Sequence, residues 1–393
     1  MKINKIVIVC ASYPFGKVES FLENEINFLS KNFDIEVYPI KKYNDADDVR
    51  DNIPSNLIYH EPIVSSNFFK RLIKGIFNTA PFWFVIPEFL KLLLYSKDIK
   101  KSTIPFIINL ISYRTLYSNS NFKNSINKKG TIVYFYWGNT PIRYFKTNNK
   151  VLVRVHGGEI DKERNYNFIP DSIFSKKVTY LPISKKVDSF LKNKGLKTYL
   201  NRLGTNDFGV NHSLNVNNII NIVTCSNIIP LKRLDLLIVA LANVKDIKIE
   251  WNHFGDGPLF KEIHQLAIAK LADNITVKFH GRVNNIELMR YYQSNYVDLF
   301  VNLSQYEGIP VSIMEALSFG IPCFATNAGA TSEIVNEING KLVDVNFEIK
   351  ELVDFICLIK SNTQLRDGAR NYWKNNYSSE NNYSNLVNYI KNI

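Results

Sequence analysis

The chain opens on an apolar run, Ile6 to Val9, followed by an amphipathic stretch from about Glu19 to Asn32 and a second apolar run from Ile35 to Ile40. Strand-length runs alternating with segments of helical period predict a β-α-β opening, the building unit of a parallel sheet. Further strands are expected at Thr131 to Tyr136, Val151 to Val155 and Val178 to Leu181. Ser184 then caps a helix that stops at Gly195, where a glycine tolerates the left-handed backbone that ends many helices. Phe68 to Arg114 breaks this rhythm: it is dense in Phe, Leu and Ile, with eight Lys or Arg against two acids. Pro81, Pro87 and Pro105 divide it, which predicts several short amphipathic helices rather than one span. Two readings stay open for that insert, ordinary core packing and docking on a membrane surface.

Between Leu203 and Val216 the chain turns polar and crowds Gly, Asn and Ser together, as linkers do. A second alternating series follows. Strands are expected at Ile219 to Cys225, Ile247 to Phe254, Ile275 to His280, Leu299 to Asn302 and Pro322 to Thr326. Helices are expected at Leu234 to Leu241, from the GDGP turn to about Leu271, and at Val311 to Phe319, with a helical, tyrosine-rich tail from about Gln364. The expected fold class is therefore α/β, with two doubly wound sheets. The first domain is placed at 1–205 with the basic aromatic insert at about 67–118, the second at 216–370, and a terminal helix at 371–393.

Composition narrows this picture in a few places. Hydrophobic residues make up 46% and charged residues 21%, the balance of a folded protein rather than a disordered one. Cys10, Cys225, Cys323 and Cys357 are far apart and form no C-x-x-C pair, so a disulfide framework is not expected and a reducing compartment fits. The first apolar run is too short for a signal-peptide core, and no stretch approaches the roughly 18 apolar residues of a membrane span. The expected location is the cytoplasm. A net charge of +12 suits phosphate-rich partners, or reflects nothing more than a lysine-rich composition. No nucleic-acid reading motif accompanies it.

In doubly wound sheets ligands bind beyond the carboxyl ends of the strands, so the loops after strands carry the informative residues. In LSQYEGIPVSIMEALSFGIPCFAT, Glu307 lies in such a loop and Glu315 eight residues on, inside the next helix. Gly308, Ile309 and Pro310 open that helix, whose free N–H groups and dipole favour a phosphate. The flanking carboxylates can accept hydrogen bonds from sugar hydroxyls, or simply cap a surface helix. In the first half, Gly16 in ASYPFGKVESF offers a flexible backbone that can approach a phosphate. His156, in RVHGGEID, follows a strand and precedes two glycines, a placement that favours function over structure. The role of Glu19 stays open between a helix cap and a site residue. The histidines show no metal-binding spacing, and Asp45-Ala46-Asp47 sits in a charged loop and reads as solvated surface, so no metal site is expected.

These motifs resemble those of the family-four glycosyltransferases. The E-x7-E segment with its trailing EA-x-x-x-G-x-P pattern, PLKRLDLLIVAL, FGDGP, FHGRV and ATNAGATSEIV all resemble that family's stretches, in its order, across Ser226 to Val335. The RVHGGEID loop is similar to the RAHG stretch of polysaccharide-assembling members, and the Gly16 loop to the family's glycine-bearing loop, with one glycine instead of a pair. One position departs: where the family often has Arg five residues before the lysine, this chain has Asn227.

The resemblance implies a GT-B fold, two Rossmann-like domains facing across a cleft, with the terminal helix returning to the first, acceptor-side domain. It implies a retaining enzyme that moves a hexose or hexosamine from a nucleotide-diphosphate sugar to a glycan or lipid-linked acceptor of a bacterial surface polysaccharide, needing no metal or other cofactor. By the same resemblance Lys232 neutralises the leaving diphosphate with Arg233 as helper, and Glu315 holds the ribose. Glu307 holds the donor sugar, the backbone of Arg282 and Val283 meets the base, and His156 faces the reacting sugar. Such an enzyme would work at the inner face of the cell membrane, in peripheral contact with anionic lipid. Two rivals stand beside it: a nucleotide-sugar 2-epimerase on the same fold, and a non-enzymatic two-lobed binding protein.

Overall fold

The computed structural model describes residues 2–16, 19–44, 46–65, 67, 99–138, 147–160, 178–210, 218–359 and 362–393. These form two compact units, one of Met1–Arg202 with Asn382–Ile393, the other of Leu203–Asn381. Most of the basic aromatic insert lies outside the described residues, including Phe68, Phe69, Lys70, Arg71, Lys74, Phe77, Phe82, Trp83 and Lys97.

The first unit contains strands β1 (Lys5–Cys10), β2 (Asp34–Pro39), β3 (Leu57–Tyr59), β4 (Thr131–Phe135), β5 (Lys150–Val155) and β6 (Val178–Pro182). Its helices are α1 (Ser20–Leu29), α2 (Ile99–Ser118), α3 (Ser120–Asn127) and α4 (Lys185–Asn193). The strands pair in parallel in the order β3-β2-β1-β4-β5-β6. Side chains alternate across the sheet, and both faces are covered. Val7, Val9, Val133 and Val153 pack with α2, α3 and α4, while Ile6, Ile8, Ile132 and Leu152 pack with α1 and the C-terminal helix. Burial on both faces is why these strands read as unbroken apolar runs.

Ile99–Ser118 is a single helix through Pro105, a correction to the expected breakers. Pro105 removes one backbone donor from the helix interior, and the later turns are held by burial of Tyr113 and Leu116 in the core. Among the described residues no helix is long and apolar enough to cross a membrane.

The second unit repeats the plan. Strands β7 (Ile219–Cys225), β8 (Lys248–Phe254), β9 (Ile275–Phe279), β10 (Leu299–Asn302), β11 (Cys323–Thr326) and β12 (Gly340–Val343) pair in parallel in the order β12-β11-β10-β7-β8-β9. Numbered from its own first strand, this is again 3-2-1-4-5-6, the dinucleotide-fold order. The helices are α5 (Leu234–Ala242), α6 (Phe260–Lys270), α7 (Asn285–Ser294), α8 (Val311–Ser318), α9 (Ile349–Ile359) and α10 (Thr363–Asn376). The tail is not one helix: α10 ends before α11 (Ser379–Asn392), with an extended step at Ser378 that pairs with Thr205. Thr205 N–H donates to the Tyr377 carbonyl (2.9 Å) and Ser379 N–H to the Thr205 carbonyl (3.0 Å). Any side chain at Gly204 would collide with the Ser379 backbone there. Residues from Asn382 onward belong to the first unit, so the terminal helix does return to it.

One buried polar cluster ties that return in place. Arg154 on β5 donates to Glu25 Oε1 (2.8 Å), Tyr134 Oη (2.6 Å) and both the carbonyl (2.9 Å) and side-chain oxygen (2.8 Å) of Asn201. Asn201 Nδ2 donates in turn to the Asn382 carbonyl (2.7 Å). Arg154 and Glu25 are wholly buried, and an ion pair in that setting is strongly destabilising when one partner is removed. Arg154→Ala and Glu25→Ala should each lower the unfolding free energy by about 3–5 kcal/mol in urea titrations. A loss under 1 kcal/mol would show that water reaches the pair.

Candidate functional site

The order of the second sheet reverses between β7 and β10, and the loops leaving these two strands border one recess, lined by Cys225, Ser226, Lys232, Asn302 and Ser304. Three loops are laced together at this edge. Ser226 N–H donates to the Phe254 carbonyl (3.0 Å), Ile228 N–H to Asp256 (3.0 Å) and Gly255 N–H to Gly281 (2.8 Å). A Cβ at Gly255 would overlap the Ser226 carbonyl, and one at Gly257 the Ile228 carbonyl. The glycines of the GDGP turn are thus demanded by backbone contact.

Lys232 ends a short 3₁₀ turn, Pro230–Lys232, and donates from Nζ to Glu307 Oε1 at 2.5 Å. Both side chains are largely but not wholly buried, at 18% and 13% exposure, which keeps them open to a ligand. Asn302 Nδ2 also donates to Glu307 Oε1, at 3.3 Å. The Glu307–Gly308 backbone is clamped from behind. Gly329 approaches so closely that a Cβ would overlap the Glu307 carbonyl, and Ala330 N–H donates to the Gly308 carbonyl (3.1 Å). Gly308 and Ile309 lead to Pro310, the N-cap of α8, where no side chain caps the helix start.

Glu315 sits within α8, and Asn285 Nδ2 donates to its Oε1 at 2.6 Å. Burial pushes the Glu315 carboxyl up to about 7, against the lowering effect of that hydrogen bond. Burial likewise pushes the nearby Cys225 thiol up to about 12, with the Glu315 charge adding to it, so Cys225 is an inert wall residue.

Other candidates fall differently. Arg233 has a left-handed backbone (φ 50°) and spends its guanidinium on the carbonyls of Leu303 (2.6 Å) and Val345 (2.7 Å). These two bonds staple the loops, and Nη2 is left without a hydrogen-bond partner among the described residues. Arg282 is exposed beside Val283, and its Nη2 lies 3.4 Å from Asn227 Oδ1, so the loop after β9 reaches the loop after β7. Gly16 is in the first unit with φ 65°, and the Asp47 carboxylate stands where its Cβ would point. The Asp47 carboxylate thus covers one side of Gly16. Asp47 is accordingly folded onto the loop rather than free in solvent.

His156, also in the first unit, follows β5 inside an aromatic cage of Trp137, Tyr136 and Phe21, with ring centroids 4.4, 5.1 and 5.7 Å away. Its backbone N–H donates to Glu159 Oε2 (2.9 Å) and its Nδ1 lies 3.3 Å from Glu159 Oε1. Glu19 settles as a loop anchor: its buried carboxylate accepts from the backbone N–H of Ala11 (3.1 Å), Ser12 (2.6 Å) and Tyr13 (2.9 Å), and from Trp137 Nε1 (2.7 Å). Sequence reasoning missed Asn285, Asn302, Glu159 and Trp137. Each lies one to five residues from a residue it did single out or on the next element, but only proximity in space reveals the pairing. Among the described residues no three His, Cys, Asp or Glu side chains gather as metal ligands do.

Residues 213–376 match the family described as glycosyl transferases group 1. The chain is 29% identical over 136 residues to sulfoquinovosyl transferase SQD2 of Arabidopsis thaliana, covering 35% of this chain and 24% of that one. It spans between 24% and 56% of the length of the first curated relatives it matches. Among solved structures it resembles the lipopolysaccharide outer core galactosyltransferase WaaB, at a TM-score of 0.67 and 14% identity over 98% of this chain and 99% of that one. It also resembles HepE of Anabaena, solved with UDP-glucose, at 0.62 and 16% identity over 99% and 100%.

The elevated Glu315 carboxyl has a measurable consequence. The folded state keeps this proton up to about pH 7, whereas the unfolded chain releases it near the ordinary 4.5. Folding then binds a proton between these values, so stability falls as pH rises through that window and levels off above it. Glu315→Gln should remove this component and leave the variant more stable than the parent at pH 8, by on the order of 2–3 kcal/mol. Urea midpoints taken from pH 4.5 to 8 test this, and parallel curves for the two proteins would contradict it.

Proposed function

We propose that this protein transfers a sugar from a nucleotide-diphosphate donor, because residues 213–376 match the family described as glycosyl transferases group 1 and the two sheets have the GT-B fold. The observation that carries the reading is the grouping at the β7–β10 switch point. There Lys232, which lines the recess, pairs with Glu307 just before the uncapped start of α8, and Glu315 farther along α8 acts electrostatically on Cys225 in the wall of the same recess.

Each part has a task in that chemistry. Breaking the sugar–phosphate bond leaves negative charge on the departing diphosphate, best stabilised by fixed cations and N–H donors. Lys232 and the start of α8 at Gly308 to Pro310 supply them. Glu307, paired with Lys232, accepts hydrogen bonds from hydroxyls of the transferred sugar, and Glu315 from the ribose. The backbone of Arg282 and Val283 borders the base, and His156 acts on a hydroxyl of the reacting sugars. The reading needs no resident cofactor, and retention of the donor's anomeric configuration follows from the family pattern.

WaaB is a lipopolysaccharide outer core galactosyltransferase, and HepE was solved with UDP-glucose. By analogy we infer a hexose or hexosamine donor and an acceptor in a bacterial surface glycan, free or lipid-linked, which would place the protein at the inner face of the membrane. A nucleotide-sugar 2-epimerase would consume donor with no acceptor present, and that control separates the two.

Thermal unfolding with a panel of nucleotide-sugars should reveal a stabilising donor, since a ligand at 100 times its Kd adds about 2.7 kcal/mol. With that donor, Lys232→Ala and Glu315→Ala should each lose roughly 2–4 kcal/mol of transition-state stabilisation, at least thirtyfold in kcat/KM, with circular dichroism unchanged. Turnover of the Lys232 variant at the parent rate would remove the phosphate role.

A further inference from the structure

The His156 loop contains more than a histidine. Glu159 is 4% exposed, and among the described residues its carboxylate accepts from His156 N–H (2.9 Å), His156 Nδ1 (3.3 Å) and Gly138 N–H (3.3 Å). Burial alone would raise its carboxyl, but the hydrogen bonds from His156 outweigh burial and hold it below the ordinary carboxylate range. An ionised carboxylate only accepts, so the proton between the two groups belongs on His156 Nδ1. The opposite nitrogen, Nε2, is buried and has no hydrogen-bond partner among the described residues. A buried polar atom left without a partner is costly, and at the carboxyl edge of a parallel sheet it marks a place where a ligand group belongs.

The neighbouring ring is fixed as firmly. Trp137 follows β4, its indole nitrogen donates to Glu19 Oε1 (2.7 Å), and its ring lies 4.4 Å from the imidazole at 35°. The same Glu19 carboxylate gathers three N–H groups of the loop after β1. The loops after β1, β4 and β5, at the switch point of the first sheet, are therefore organised by two buried carboxylates around one indole–imidazole pair. An aromatic face beside a hydrogen-bonding ring nitrogen suits the two sides of a pyranose, its apolar C–H face and its hydroxyls.

We propose that Glu159 is a positioning residue that locks His156 in the Nδ1–H tautomer, presenting Nε2 as the acceptor for a sugar hydroxyl proton, with Trp137 held by Glu19 as the platform for that sugar's apolar face. This rests on the sugar-transfer reading above. The hydroxyl donates its hydrogen bond to Nε2, and Glu159 keeps its charge while it holds the ring proton on Nδ1.

Nitrogen-15 NMR of protein labelled at histidine tests the tautomer without any substrate. The six histidines give six ring pairs, and His156→Gln identifies the relevant one. The parent should show the Nδ1–H pattern for His156, and Glu159→Gln should convert it to the Nε2–H form or a mixture. With a turned-over donor, Glu159→Gln should lower kcat about tenfold or more, leaving calorimetric affinity for the nucleoside diphosphate within twofold. Glu159→Asp, which keeps the charge, should recover part of both signals, and unfolding midpoints identify any variant that merely fails to fold. Trp137→Phe should raise acceptor KM more than it lowers kcat. An unchanged His156 tautomer in a folded Glu159→Gln protein overturns the proposal, as does nucleotide affinity falling in step with kcat. If the parent turns over no donor, the transfer reading fails while the tautomer result still decides Glu159.

Discussion

Where a parallel strand ends, its backbone donors and acceptors leave the ladder and must find partners elsewhere, and at a sheet edge open to ligands water is not a rigid partner. The two units of this protein meet that constraint in two ways. In the first, buried carboxylates do it: Glu19 accepts three consecutive N–H groups after β1, and Glu159 accepts those of His156 and Gly138. In the second, loop backbones bond directly to one another, which works only where glycine lets them approach, at Gly255, Gly257 and Gly329. Either way the loops are rigid before a ligand arrives, and rigid donors stabilise developing charge without reorganising.

On that scaffold the charges are few and opposed. Lys232 is the cation of the second unit's recess and already shares a proton-rich contact with Glu307. A diphosphate would compete for the lysine while the carboxylate turned to neutral hydroxyls, so the pair suits a ligand with an anionic half and a sugar half. Arg233 donates from Nε and Nη1 to two backbone carbonyls, while its Nη2 has no hydrogen-bond partner among the described residues. Arg282 comes within 3.4 Å of Asn227, the position where the resembling family often has arginine. Positive charge therefore reaches this loop from a neighbouring strand end.

Much of this was legible in the sequence because doubly wound sheets write their strands as continuous apolar runs. Ile219 to Cys225 and Leu299 to Asn302 were delimited to the residue. The edge strands β3 and β12 and the helix α3 were not, since β3 and β12 are short and only partly buried and α3 is mostly polar, so none shows a long apolar run. Helix α9 follows the helical pattern plainly and simply lay beyond the motifs that drew attention. In the site, Glu307 and Glu315 were found because they sit in the loop and helix directly after a strand, and Lys232 through the resemblance of PLKRLDLLIVAL to a family motif. Asn285 against Glu315 and Trp137 against His156 depend on elements adjacent in space but distant in sequence, whereas Asn302 and Glu159 lie within five residues of Glu307 and His156 and carry no motif of their own. At Gly16 the flexibility was visible in the sequence, whereas the Asp47 carboxylate packed against it comes from another loop.

The claim on which the rest turns is that the recess between β7 and β10 receives the diphosphate. A crystal structure with a nucleoside diphosphate tests it most directly. A phosphate oxygen should lie within hydrogen-bond distance of Lys232 Nζ and of the backbone at Gly308 to Pro310, with the ribose against Glu315. Diphosphate density elsewhere, with the Lys232–Glu307 pair intact and the recess empty, would contradict the account.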